Sequence, residues 1–130
     1  METPEKAKVL IVDDDSMIRD LLKSILRHDG FGVAGEANNG EMAISMCNMM
    51  KIDIVCLDIN MPKVGGIEAL EVIKKAHPEL IVVMISADAK MDVVQEAISK
   101  GATGFIVKPF NPGKVMDTLN HCVKLLPSLE

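Results

Sequence analysis

The sequence predicts an open, doubly wound α/β sheet in which parallel strands alternate with helices that cover both faces. Short runs that are apolar throughout recur along the 130 residues, and such runs are typical of strands buried on both faces of a parallel sheet. Between them lie stretches with apolar residues at i, i+3, i+4 and i+7, the spacing of a helix with one buried face. Because the connections are short, right-handed crossovers within one sheet accommodate this alternation.

Five strands are predicted from the apolar runs. Four of them read VLIV, IVCL, LIVVMI and FIV, and a fifth run, FGVAG, is a weaker candidate. In chain order the five candidates span residues 9–12, 31–35, 54–57, 80–85 and 105–107.

The first helix follows the first strand directly. Asp15 stands at its entrance, where capping and the helix dipole both favour an acid. Gly30 supplies a stop. The predicted core-facing stripe of this helix consists of Ile18, Leu21, Leu22, Ile25 and Leu26.

Four further helices show the same spacing. Asn111 is a candidate N-cap of the last helix, and Pro112 suits its first helical position. The methionines of the second helix, in EMAISMCNMM, are expected to pack in the core rather than form a partner-binding surface. The predicted stripes are Ala43, Met46, Cys47 and Met50; Ala69, Val72, Ile73 and Ala76; Val94, Ala97, Ile98 and Gly101; and Val115, Thr118, Leu119, Cys122 and Leu126.

Length, charge and cysteine usage narrow the class of protein. A chain of 130 residues suffices for one compact domain. Its 14 basic and 19 acidic residues give a net charge of −5, and the basic residues are scattered, which argues against direct nucleic-acid binding. Cys47, Cys56 and Cys122 match neither a disulfide framework nor a metal-binding pair, which indicates the cytosol. No apolar run approaches the length of a membrane span.

Polar or charged residues directly follow the first, third, fourth and fifth predicted strands. Asp13 and Asp14 follow the first strand, Asp58 the third, Ser86 the fourth and Lys108 the fifth. In open α/β sheets ligands bind outside the carboxyl ends of the strands, where the strand order reverses. Three carboxylates, a hydroxyl and an ammonium are therefore expected to converge on one edge of the sheet.

This set of groups favours phosphoryl chemistry. Neighbouring carboxylates repel, and one of them would take up a proton unless a divalent cation removed the conflict. Mg²⁺ prefers one or two carboxylates with other oxygens, waters and phosphate. A lysine that neutralises anionic charge and a serine that donates a hydrogen bond complete a phosphoryl site. If one aspartate is the nucleophile, the reaction is phosphoryl transfer to a carboxylate.

The motifs at these positions resemble the receiver domain of two-component response regulators, in its chemotaxis-type single-domain form. They are LIVDDD, VCLDINMP followed by glycines at 65 and 66, MISA, and FIVKPF. The resemblance covers roughly residues 7–125. It implies a flavodoxin-like (βα)5 fold with a five-stranded parallel sheet in the order 2-1-3-4-5. It also implies that residues 1–130 form a single receiver domain without an output domain in this chain.

The resemblance implies a role for each acidic site residue. Asp58 would accept a phosphoryl group from a sensor histidine kinase or phosphotransfer protein. Asp14 and Asp58 would bind Mg²⁺ directly, together with the backbone carbonyl of Asn60. Asp13 would act mostly through a coordinated water.

The resemblance also implies a switch. Lys108 would contact a phosphoryl oxygen, and the Lys108–Pro109 bond would be cis, which only X-Pro bonds adopt at modest cost. Ser86 would move toward the phosphoryl group, and Phe105 would follow it inward. Since tyrosine is also common in the family at the Phe105 position, burial of the ring without a hydroxyl contact must carry the signal here.

The function implied is a phosphorylation-activated switch in the cytoplasm. The chain would catalyse its own phosphorylation and dephosphorylation at Asp58 without being a conventional enzyme. The fourth helix, fifth strand and fifth helix, about residues 89–125, would bind a downstream protein. The protein would be a monomer or a phosphorylation-dependent dimer, with no direct nucleic-acid or membrane partner.

Three alternatives stay open from the sequence. The chain could be an excised receiver of a longer response regulator, for example a transcription factor. It could be a small-molecule phosphatase with an aspartate nucleophile, although no cap domain and no second acid for general acid/base catalysis are evident. A flavin carrier is a third, but the chain has no Trp or Tyr to sandwich the ring.

Overall fold

Five parallel strands alternate with five helices in the computed structural model, which describes residues 4–126. The strands form one sheet in the order β2-β1-β3-β4-β5. The predicted fold class and strand order are therefore confirmed. The strands are β1 (Lys8–Val12), β2 (Gly32–Ala37), β3 (Ile54–Asp58), β4 (Ile81–Ser86) and β5 (Gly104–Val107), and the helices are α1 (Ser16–His28), α2 (Gly40–Met49), α3 (Gly66–Ala76), α4 (Met91–Ser99) and α5 (Pro112–Val123).

Two apolar clusters cover the two faces of the sheet. In β1, Val9 and Ile11 belong to one cluster with α1 and α5, whereas Leu10 and Val12 belong to the other with α2, α3 and α4. Successive residues of a strand point to opposite faces, so a strand buried on both sides is apolar at every position. This explains why the central strands read as uninterrupted apolar runs.

Three strands end later than predicted, β2 by two residues and β3 and β4 by one residue each. Asp58 is the last residue of β3 and Ser86 is the last residue of β4, whereas both were expected just beyond their strands. Asp58 pairs with Ile85 in the parallel ladder. The backbone therefore holds both polar residues in regular strand geometry at the carboxyl edge of the sheet.

Several residues predicted in helical stripes are exposed. Leu21 of α1, Val72 of α3 and Ile98 of α4 have 44%, 42% and 57% of their surface accessible. A stripe defined by i, i+3 and i+4 spacing is wider than the contact line of a helix on a sheet, so residues at its margins reach solvent. In α3, Leu70 is fully buried, although the stripe omitted it.

The expectation that the methionines of α2 pack in the core is largely wrong. Met49 is 81% exposed, and Met42 and Met50 are 43% and 40% exposed. The buried residues of the helix are the small ones, Gly40, Ala43 and Cys47. Small side chains lie between α2 and the sheet, which leaves the long thioethers at the margin.

The predicted helix caps are confirmed. The Asp15 carboxylate accepts a hydrogen bond from the backbone N–H of Met17 at 2.9 Å. Asn111 caps α5 by accepting from the N–H of Lys114, and Pro112 is the first residue of that helix. Side-chain oxygens satisfy N–H groups that have no partner inside the helix.

Cys47, Cys56 and Cys122 are free and buried. Burial raises the pKa of Cys56 to about 12, so its thiol stays protonated and unreactive at neutral pH. Among residues 4–126, no helix is both long enough and apolar enough to span a membrane.

Candidate functional site

Three carboxylates meet where β1 and β3 end. Val12 pairs with Leu57 in the ladder, so Asp13 and Asp58, one residue further along each strand, are neighbours. Both are buried, whereas Asp14 is exposed. One carboxylate oxygen from each of the three lies within 4.8 Å of the other two. The structure thus brings the three predicted acidic residues together at this edge of the sheet.

Lys108 joins the cluster from the end of β5. Its Nζ donates a hydrogen bond to Asp13 Oδ2 at 2.9 Å and another to Asp58 Oδ1 at 3.3 Å. The other oxygen of Asp13 accepts from the backbone N–H of Asp15 at 2.9 Å. Both oxygens of Asp13 are thus engaged. The Lys108–Pro109 peptide is cis.

Burial and repulsion by neighbouring acids destabilise the charged form of the Asp58 carboxyl, and Lys108 offsets this only in part. Desolvation is the main cause that raises the pKa of Asp58, from 3.8 to about 6, and the charges of Asp13 and Asp14 add to it while Lys108 opposes it. For Lys108, burial favours the neutral form, but the bond to Asp13 and the charges of Asp58 and Asp13 outweigh it and raise its pKa. The ammonium therefore stays charged and partly neutralises the carboxylates.

The donor set of this cluster fits a hard divalent cation. All three groups within 4.8 Å of one another are carboxylates, and Mg²⁺ is bound by oxygen rather than by nitrogen or sulfur. A soft or borderline metal would be expected to draw on histidine or cysteine. A divalent cation would also relieve the repulsion that raises the pKa of Asp58.

The remaining predicted site residues lie on β4, on β5 and in the loop after β3. Ser86 is fully buried at the end of β4, and its Oγ accepts a hydrogen bond from the N–H of Asp88 at 3.0 Å. Asn60 is exposed in the loop after β3. Phe105 is half-buried on β5, where it pairs with Met84 in the strand ladder. Its ring packs against the apolar cluster on the side of the sheet covered by α2, α3 and α4. The structure thus groups the three aspartates with Lys108, while the Ser86 hydroxyl bonds to Asp88.

Two glycines, Gly66 and Gly40, bring the loop after Asp58 close to its neighbours; the sequence motifs include Gly66 but predict no role for Gly40. A Cβ at Gly66 would overlap the backbone carbonyl oxygen of Asp58, and one at Gly40 would overlap that of Val64. The N–H of Gly66 donates to the Ile59 carbonyl at 2.9 Å. The loop and the start of α3 therefore fold tightly around Asp58 only because no side chain intervenes.

Arg19 is a residue near the site that sequence reasoning missed. Its Nη1 donates to the backbone carbonyl of Asp13 at 2.7 Å, and its Nε donates to Glu36 Oε1 at 2.9 Å. Nothing in the local spacing distinguishes this arginine from any other polar residue of a surface helix. Its contact with Glu36 depends on β2 pairing beside β1, which is a feature of the sheet order.

A doubly wound sheet with a buried aspartate, two neighbouring acids and a lysine at its carboxyl edge defines a class of phosphoryl-accepting signalling domains. Residues 9–120 match the response regulator receiver domain, and the chain belongs to that family.

Curated relatives cover nearly the whole chain. The chemotaxis protein CheY of Thermotoga maritima is 44% identical over 117 residues, which make up 90% of this chain and 98% of the relative. CheY of Listeria monocytogenes is 43% identical over the same coverage. The chain is therefore a chemotaxis-type receiver domain, a phosphorylation-regulated switch in signalling.

Solved structures agree with this assignment. A chain in the CheX–CheY–BeF3–Mg²⁺ complex of Borrelia burgdorferi superposes with a TM-score of 0.87 at 38% identity, covering 88% of this chain and 87% of that one. Receiver domains usually bind Mg²⁺ at an acidic pocket, and this chain has a cluster of three aspartates. As a class they receive signals from histidine kinases and pass them to downstream proteins.

Proposed function

We propose that Asp58 is the phosphoryl acceptor of this receiver and that Asp13, Asp14, Asp58 and the backbone carbonyl of Asn60 hold Mg²⁺. The observation that carries the proposal is the buried Asp58 carboxylate, which shares the Lys108 ammonium with Asp13. Asp13 acts on the metal through a coordinated water, because its own oxygens are already engaged by Lys108 and Asp15.

The positions of these side chains support phosphoryl transfer to Asp58. A carboxylate oxygen of Asp58 attacks the phosphorus of a phosphohistidine, and the phosphorus–nitrogen bond of the donor breaks. Lys108 neutralises charge on a phosphoryl oxygen, which requires it to exchange a carboxylate partner for the new group. Mg²⁺, when bound, screens the incoming dianion from the carboxylates and polarises the phosphoryl group. Hydrolysis of the phospho-Asp58 bond resets the site, so the chain catalyses both its own phosphorylation and its dephosphorylation.

The switch begins at Ser86. Its hydroxyl accepts from Asp88 in the resting arrangement, and a phosphoryl group on Asp58 offers strong acceptor oxygens to which the hydroxyl donates. Movement of Ser86 makes room for Phe105, whose half-buried ring moves inward. A charge added at Asp58 thereby biases an equilibrium between two conformations.

The surface that reports the switch is formed by α4, β5 and α5. Met91 and Ile98 of α4 and Val107 of β5 are large apolar side chains that are 69%, 57% and 40% exposed. Exposed apolar residues on adjacent elements suit a protein partner. We place binding of the downstream protein at this face, in a cytoplasmic receiver domain of about residues 7–125 that is a monomer or dimerises on phosphorylation.

Intact-protein mass spectrometry after incubation with acetyl phosphate and Mg²⁺ tests the acceptor assignment. The chain is expected to gain one phosphoryl group, and Asp58→Asn is expected to gain none. Asp15→Asn is the matched control, since it makes the same chemical change nearby while asparagine caps a helix as well as aspartate. Full labelling of Asp58→Asn would sink the assignment.

The same preparation separates the switch from a phosphatase. A phosphatase would turn over p-nitrophenyl phosphate many times per molecule, whereas a receiver that modifies itself is expected to show no rapid multiple turnover. Rapid turnover that depends on Asp58 would favour the enzyme.

A further inference from the structure

We propose that Arg19, held by Glu36, is a positioning residue for the metal-binding acids: its guanidinium fixes the backbone of Asp13 and thereby the loop that presents Asp13 and Asp14. This inference rests on the proposed function of the aspartate cluster. Arg19 and Glu36 would support the site without contacting the metal or the phosphoryl group themselves.

The guanidinium bridges three parts of the fold. Arg19 belongs to α1, its Nη1 reaches the Asp13 carbonyl at 2.7 Å, and its Nε reaches Glu36 Oε1 on β2 at 2.9 Å. Glu36 lies beside Ile11 in the ladder between β1 and β2. The planar fork of arginine makes both bonds at once, which a point-charge ammonium does not do.

Asp13 is held at both of its backbone polar groups. Its N–H donates to the Ala37 carbonyl of β2 at 3.1 Å, and its carbonyl accepts from Arg19. Because Asp13 is only 1% exposed, loss of the arginine would leave a carbonyl with poor access to water, and the loop would be expected to rearrange to solvate it.

Glu36 is itself fixed from two sides. Its Oε2 accepts from Lys23 Nζ at 2.7 Å, while its Oε1 accepts from Arg19. The Arg19 side chain is 18% exposed and that of Glu36 is 34% exposed, so the pair is more sheltered than a typical surface ion pair. Lys23 touches Glu36 but not Asp13, which makes it a matched control for the loss of one positive charge on the same helix.

Electrostatics and positioning predict effects of opposite sign. Arg19 is a cation near the acidic cluster, so Arg19→Gln should tighten Mg²⁺ binding if only charge mattered. If the guanidinium positions the loop, Arg19→Gln should instead weaken Mg²⁺ binding roughly tenfold, as outer partners of metal ligands commonly do. Lys23→Gln should leave the affinity unchanged or slightly tighter.

Isothermal titration calorimetry with MgCl₂ on the full chain measures this directly, at a temperature where circular dichroism shows each variant folded. We expect Lys23→Gln to bind Mg²⁺ at least as tightly as the unchanged chain. Arg19→Gln should bind it most weakly, and Arg19→Lys should have an affinity between those of Arg19→Gln and the unchanged chain. Equal or tighter binding by Arg19→Gln, or an equal loss in Lys23→Gln, would overturn the positioning role. Absence of Mg²⁺ binding by the unchanged chain would instead contradict the proposed function itself.

A second readout uses the Mg²⁺ dependence of phosphorylation by acetyl phosphate. Arg19→Gln is expected to raise the Mg²⁺ concentration that gives half the maximal rate, while keeping the rate at saturating Mg²⁺ within about threefold. A variant that is merely less stable would lose the rate at every Mg²⁺ concentration, and that result would contradict the proposal.

Discussion

The Lys108 ammonium lies 2.9 Å from the Asp13 carboxylate, although 95 positions separate the two residues in the chain. The same nitrogen lies 3.3 Å from Asp58. A single half-buried cation thus stabilises two buried acids that would otherwise repel each other, while the third acid, Asp14, is exposed to solvent. The cluster of three carboxylates and one ammonium therefore keeps a net negative charge, which favours binding of a further cation.

The repulsion at this site should make Asp58 destabilising in the absence of divalent cations. Asp58→Asn removes one of the clustered charges while Lys108 keeps its bond to Asp13. We expect the free energy of unfolding at pH 7.5 in EDTA to rise by on the order of 1 kcal/mol. Urea denaturation followed by circular dichroism measures the change. A variant less stable than the unchanged chain would contradict the expectation.

The stabilisation by Asp58→Asn should depend on pH. The pKa of Asp58 is about 6 in the fold against an ordinary 3.8, so between these values the folded chain holds a proton that the unfolded chain has lost. The stability of the unchanged chain therefore falls as pH rises through this window. The advantage of Asp58→Asn should be smallest near pH 4 and largest above pH 7. An advantage that stays constant across that range would show that charge is not its cause.

The three consecutive aspartates should divide into two functions. Asp14→Ala is expected to abolish Mg²⁺ binding, because it removes a carboxylate of the cluster. Asp15→Ala is expected to keep Mg²⁺ binding and to lose about 1 kcal/mol of stability, because it removes the cap on the Met17 N–H. Calorimetric Mg²⁺ titration and urea denaturation of both variants distinguish the two effects. Equal loss of Mg²⁺ affinity would mean that the division is misplaced.

The adjacent glycines at the start of α3, Gly65 and Gly66, should differ sharply in their tolerance of a side chain. Gly66→Ala places a Cβ against the Asp58 carbonyl oxygen, and since that atom is backbone the loop must move, at an expected cost of about 2 kcal/mol or more. Gly65→Ala is the matched control, because its nearest neighbour is 3.7 Å away. Thermal unfolding and acetyl phosphate labelling of both variants test this. Comparable behaviour of the two would contradict the close approach around Asp58.

Much of the fold and the site follows from the sequence alone. Strands buried on both faces are apolar throughout, and the residues at their carboxyl ends meet because parallel strands share an edge, so Asp13, Asp58 and Lys108 could be grouped without coordinates. What local patterns miss depends on the third dimension. The Arg19–Glu36 contact requires β2 beside β1, and the exposure of the α2 methionines depends on which small residues reach the sheet.

Two residues of α3, Leu70 and Val72, test whether the structure describes the buried face of this helix better than the sequence spacing does. Leu70 is fully buried, whereas Val72, which the spacing placed in the core, is 42% exposed. Leu70→Ala is expected to cost about 2 to 5 kcal/mol as a buried leucine does, and Val72→Ala less than about 1 kcal/mol. Urea denaturation of the two variants should separate them clearly, and a larger loss for Val72→Ala would contradict the packing of α3.

Amide chemical shifts recorded by NMR before and after addition of beryllofluoride and Mg²⁺ test whether modification of Asp58 changes the α4-β5-α5 face. Beryllofluoride on Asp58 mimics the phosphoryl group without hydrolysing. Changes in chemical shift are expected to extend from Asp58 and Ser86 through Phe105 to α4, β5 and α5, and to be absent in Asp58→Asn. Changes confined to the carboxyl edge of the sheet, or changes that persist in Asp58→Asn, would contradict the proposed switch.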